Sequence, residues 1–195
     1  MYHLAASASL QTGRGNGTSK KLFFAIMMLL IQALDAAYPY VGGIGVIFFL
    51  LFVISGRDLF EGGLFSRFTC IVFAVSFASV FVINGVVKAE ARHEVLGYLD
   101  NLQIAEVSIN GERVAAPGAV LDALRSMSSY TAHHSNPEGR ILIEIRSERG
   151  RLIVRLGRDS GRSDEYWVFY PRYYVSNIDE IDRIRTHLFD KCPIK

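Results

Sequence analysis

The sequence predicts a multi-pass helical membrane segment of three helices, followed by a small α+β domain whose antiparallel sheet is built in the order ββαβββα. Three observations predict it. Half of the 195 residues are hydrophobic and the mean hydropathy is +0.24, with the excess concentrated in residues 22–87. Asn110-Gly111 stands between two strand-like segments, and RILIEIR (140–146) and RLIVRLG (151–157) alternate apolar and polar side chains about a polar turn. Apolar residues at helical spacing flank these strand-like segments on both sides.

Residues 1–20 are small and polar, with Gly13, Gly15 and Gly17 and no apolar period, and read as a disordered tail. Lys20-Lys21 then opens an apolar run from Leu22 to Ser55. At about 1.5 Å per residue a single helix over that run would be roughly 51 Å long, against a hydrocarbon core of about 30 Å. The excess predicts a split. Asp35, Pro39, Tyr38 and Tyr40 are the residue types of an interfacial turn, so spans are expected at about 21–37 and 40–55. Leu22–Leu34 has Gln32 as its only polar side chain, so it lacks the hydrophilic face that a helix lying flat on the membrane needs. The same run also fits a signal peptide cut near Ala36, which would leave the later topology unchanged.

GRDLFEGGLFSR (56–67) reads as a loop, and Phe68–Val87 gives 20 residues without a charge, a third span within 67–87. Three spans with the N-terminus in the cytoplasm keep Arg14, Lys20, Lys21, Arg57 and Arg67 inside. The expected location is therefore the plasma membrane, bacterial inner membrane in type, with residues 102–195 outside the cytoplasm. Gly42, Gly43, Gly45, Ala74, Ser76, Ala78 and Ser79 allow close helix packing.

Residues 88–101 continue the third helix as a polar linker, with Val95, Leu96 and Leu99 on one side. Asn110-Gly111 predicts a hairpin because its two central residues must take positive φ. Pro117 suits a first helical turn, and Val120, Leu121, Leu124 and Met127 form an apolar stripe. Pairing about Ser147–Gly150 sets Arg146 opposite Arg151 and brings Ile141, Ile143 and Ile145 against Leu156, Val154 and Leu152. EYWVFYP supplies a further strand. A last helix is expected from Asn177, with Glu180 completing a capping box and Ile178, Ile181, Ile184 and Leu188 facing inward.

Charge excludes one class of partner. Residues 88–195 carry 16 basic and 16 acidic side chains, so nothing attracts nucleic acid. Cys70 and Cys192 are too far apart in character to form an expected disulfide. Neither a zinc nor a hydrolase motif is present, and no metal or cofactor is expected. The candidate catalytic group is the His133-His134 loop with Asp159, two imidazoles and a carboxylate that could serve as bases or ligands. The candidate binding surface is arginine and tyrosine: Arg146, Arg151, Arg155 and Arg158 on one sheet face, with Tyr166 and Tyr170 on the next strand. The function expected from this is a non-catalytic binding module held in the bilayer, with a protein partner or lipid headgroups as its target. A membrane-bound hydrolase or metal-dependent enzyme using His133 and His134, and a structural subunit of a membrane complex, are the alternatives.

Overall fold

The fold is described from a computed structural model, over residues 16–54, 64–100, 102, 106–128, 130, 135–190 and 192. Helix α1 (Asn16–Ile54) is followed by α2 (Leu64–Leu99), then β1 (Glu106–Ile109), β2 (Glu112–Arg113), α3 (Pro117–Arg125), β3 (Pro137–Ser147), β4 (Gly150–Asp159), β5 (Glu165–Phe169), α4 (Tyr174–Ile178) and β6 (Asp182–Arg185). Residues 1–15 of the expected tail, Ser55 at the end of the expected second span, 56–63 of the expected loop, and His133 and His134 lie outside the described residues.

Among the described residues two helices, not three, are long and apolar enough to cross a membrane: Ala25–Ile54 and Arg67–Leu99. The expected break at Asp35–Tyr40 does not occur, and α1 runs unbroken through Pro39. A proline inside a helix removes one N–H and crowds the carbonyl four residues back, here that of Asp35, at a cost of about 3 kcal/mol. What offsets it is packing that sequence periodicity does not reveal. Met27, Met28, Leu34, Tyr38 and Val41 all lie against the core, and Ile31 is buried within it. The Tyr38 ring meets the Tyr174 ring at 6.3 Å. With an even number of candidate crossings, the charge argument that exported the C-terminal half no longer holds.

α1 and α2 form an antiparallel hairpin. Its register is marked by Phe48 against Phe68 (ring centroids 6.1 Å) and Phe49 against Phe73 (5.3 Å). Gly45 is the close approach, since a Cβ there would lie 3.4 Å from Ser76 Cβ, whereas Gly42 and Gly43 face open space. On this register Asp35 stands level with the end of the uncharged run on α2.

Among the described residues the sheet has six antiparallel strands in the order β2-β1-β3-β4-β5-β6. Asn110 and Gly111 take φ of 52° and 91°, the pair of left-handed conformations that the β1–β2 turn requires. The β3–β4 register is as expected, with Arg146 opposite Arg151 and Ile145, Ile143 and Ile141 opposite Leu152, Val154 and Leu156. These six are buried, together with Val120, Leu121 and Leu124 of α3. The stretch expected to form a polar linker carries core: Ala91, Val95 and Leu99 of α2 are fully buried, as is Val87 at the end of the expected third span. Each of these valines and the leucine contributes about 1.5–3 kcal/mol relative to exposure, so α2 belongs to the domain's interior as well as to the hairpin.

The chain's last part differs from expectation. Instead of a helix from Asn177, a single helical turn ends at Ile178 and β6 adds a sixth strand, giving ββαβββαβ. Ile178 is 54% exposed and Leu188 42%, so the helical spacing of those isoleucines does not describe one buried face. In β6, Asp182 and Ile184 point to the core, and Arg183 and Arg185 to the other face beside Glu165. Asp182 is paired with Arg92 of α2 at 2.6 Å. A strand buried through ion pairs has no apolar alternation to announce it.

Candidate functional site

The four arginines expected on one docking face are divided by the fold. Arg146 and Arg151 stand on the outer face of the β3–β4 ladder and share Glu144, with Arg151 Nε 2.8 Å from its Oε1. Hydrogen bonds from Arg146, then Arg151, hold the Glu144 carboxyl below its ordinary range. Arg155 turns toward α4, where its Nη2 donates to the Asn177 carbonyl at 2.8 Å and to Asn177 Oδ1. Arg158, opposite Tyr166 in the ladder, lies on the core face. It donates to Tyr166 Oη at 3.2 Å and to the carbonyls of Phe189 and Asp190 at 3.1 Å each. The expectation of a shared solvent face is therefore corrected for Arg158, because alternation along β4 carries it to the side of Leu156 and Val154.

Tyr166 and Tyr170 are core residues, 0% and 8% exposed. Burial raises both phenols above their ordinary value. The other alternating set, Trp167 and Phe169, lies on the outer face. Trp167 is engaged from two sides: its Nε1 donates to Asp159 Oδ2 at 2.7 Å, and the Arg183 guanidinium stacks 4.2 Å from its ring centroid.

Asp159 is 3% exposed and accepts from Ser135 Oγ at 2.5 Å, from Trp167 Nε1, and from the backbone N–H groups of Gly161 and Arg162 at 2.8 and 2.9 Å. Burial pushes this carboxyl up, and the four hydrogen bonds, led by Ser135 and Trp167, more than offset it and hold it well below the usual carboxylate range. A carboxylate so placed organises the turn after β4 and is a poor proton acceptor at neutral pH. Among the described residues no group of three or more His, Cys, Asp or Glu could hold a metal ion.

No local pattern announces the junction between hairpin and sheet. Asp35, in the middle of α1 and 8% exposed, accepts the backbone N–H groups of Tyr174 and Val175 at 2.7 and 2.9 Å, capping the first turn of α4 from a distant helix. From α2, Lys88 Nζ and Asn84 Nδ2 reach Asp179 Oδ2 at 3.0 and 3.4 Å. One turn on, Tyr173 Oη donates to Glu94 Oε1 at 2.9 Å, and Arg172 lies 3.3 Å from Glu94 Oε2. These partners are separated by roughly 80 to 140 residues, and no local pattern pairs them. Two clefts open beside this junction. One, of about 400 Å³, lies between Met28, Gln32, Glu94, Tyr98 and the β3–β4 turn, with Arg149 and Arg151 at its edge. The other, of about 360 Å³, lies between Arg140, Arg155, Phe169, Asn177 and Ile178.

No family model, curated protein or solved structure matches the chain.

Proposed function

We propose that the protein is a membrane-anchored binding module: the α1–α2 hairpin crosses the bilayer twice and the sheet domain rests on the surface from which the hairpin enters, acting by recognition. The observation that carries this reading is the contact of Asp179, the residue that follows α4, with Asn84 and Lys88, where the uncharged stretch Phe68–Val87 ends. A hydrocarbon core of about 30 Å matches those 20 residues. Tyr38, Tyr40 and Tyr174 then fall at headgroup depth, where aromatic rings are favoured.

Two crossings keep both ends of the chain on one side. Arg14, Lys20 and Lys21 precede the first crossing and Lys88 and Arg92 follow the second, five basic residues against Arg57 and Arg67 at the far end. The excess of Lys and Arg favours the cytoplasm for the domain, the reverse of what three crossings imply. The test is a pair of reporters, one fused after Lys195 and one inserted in the 55–63 segment. Fluorescence of a cytoplasm-dependent reporter at Lys195, with activity of an export-dependent reporter in the 55–63 segment, is the expected result. An export-dependent reporter active at Lys195 would overturn it.

A further inference from the structure

We propose that the groove between Arg140, Arg155 and Ile178 binds the phosphate of an anionic phospholipid headgroup. This rests on the membrane reading above and gives the binding module a ligand.

Three features of the groove point to that chemistry. The first is charge without a counter-charge. Arg140 and Arg155 line the same cleft, and among the described residues neither is paired with a carboxylate. Arg155 is fixed by Nη2 on Asn177, while its buried Nε finds no acceptor among the described residues. Burial, and then the adjacent charge of Arg140, lowers the Arg155 pKa from its ordinary value, a cost that an anion between the two guanidiniums would relieve. Guanidinium groups match phosphate oxygens in geometry and are less strongly hydrated than ammonium groups.

The second feature is the mixed wall. Opposite the arginines, Phe169 and the half-exposed Ile178 supply apolar surface, which suits the glycerol and first acyl carbons of a lipid better than it suits a free ion. The third is position. Ile178 and Asn177 belong to α4, which is fastened to the last turns of the uncharged stretch through Asp179. A groove at that level opens where headgroups are, and a negative leaflet surface adds about 1 kcal/mol per nearby basic residue.

The experiment uses the full chain in a nonionic detergent, titrated with short-chain phosphatidylglycerol, short-chain phosphatidylcholine or inorganic phosphate. Trp167, the only tryptophan in the chain, is paired with Gly157 of the groove wall and reports occupancy by its fluorescence. Phosphatidylglycerol is expected to bind saturably, and Arg140→Gln to weaken it by about tenfold or more, since hydrogen bonds to charged groups are the strong ones. Arg140 makes no side-chain hydrogen bond or ion pair among the described residues, so this variant keeps the fold. Arg155→Lys, which retains charge but loses the fork, is the second variant and is expected to weaken binding as well. Equal binding of phosphatidylcholine, equal binding of inorganic phosphate, or unchanged affinity in Arg140→Gln would each overturn the proposal. Because the titration is done in micelles, it reports on the groove whichever way the reporters assign the topology.

Discussion

At the scale of single residues, the carboxylates decide most of what is particular to this molecule. Asp159 is held ionised by four donors, so the linkage to stability has a definite sign. Its folded pKa lies below the unfolded value of about 3.9, so its contribution is complete above that value and is lost as the pH falls through it toward the folded pKa. Asp159→Asn is expected to cost about 1–3 kcal/mol at pH 7, because an amide offers one acceptor oxygen and no charge to the same donors. It should also flatten the acid side of the stability profile. Thermal unfolding of both proteins between pH 7 and pH 2.5 checks this, and parallel curves below pH 4 would show that the carboxylate is not linked to folding. The residues taken from the sequence as a shared surface fared unevenly for one reason: alternation along a strand is legible, but which face becomes the interior depends on what packs there. Tyr166 and Trp167 are equally suited to a core, and the helices behind the sheet choose Tyr166.

Elements were legible where the pattern is local. The Asn110-Gly111 turn and the Arg146–Arg151 register follow from backbone conformation and from the cost of burying arginine, and both appear as expected. The failures lie where tertiary partners override the local signal. Pro39 has the signature of a helix end, yet α1 continues because its residues on both sides of the proline are packed against α2 and the sheet domain. β6 has the spacing of a helix, yet Arg92 and Glu165 take up its charges and hold it extended. The proline gives a sharp check. In a continuous helix Pro39→Ala restores an N–H opposite the Asp35 carbonyl and is expected to stabilise the fold, by up to about 3 kcal/mol, measured as a rise in thermal midpoint in detergent. At a tight turn between two separate spans the same change would lower it.

At the scale of the whole molecule, hairpin and sheet share one buried core. The sheet's inner face closes on Val87, Ala91, Val95 and Leu99, and its last elements are fastened to α1 and α2 through Asp35, Lys88, Arg92 and Glu94. A fragment of residues 98–195, which contains the domain expected at 102–195, lacks three of those four aliphatic side chains and every one of the polar anchors. It is expected to be unfolded in water, with collapsed amide dispersion in its proton–nitrogen spectrum. A well-dispersed spectrum would show that the sheet stands without the helices.

The clasp at Asp35 also bears on how such a chain is made. The carboxylate leaves the ribosome 139 residues before the backbone amide of Tyr174 that it caps. Translation thus delivers the receptor for the last turn long before the turn itself, and the carboxylate meets its donors only once the sheet's last elements have been made. A chain whose first helix was displaced from the sheet would leave the Tyr174 and Val175 amides at the start of α4 without their carboxylate cap.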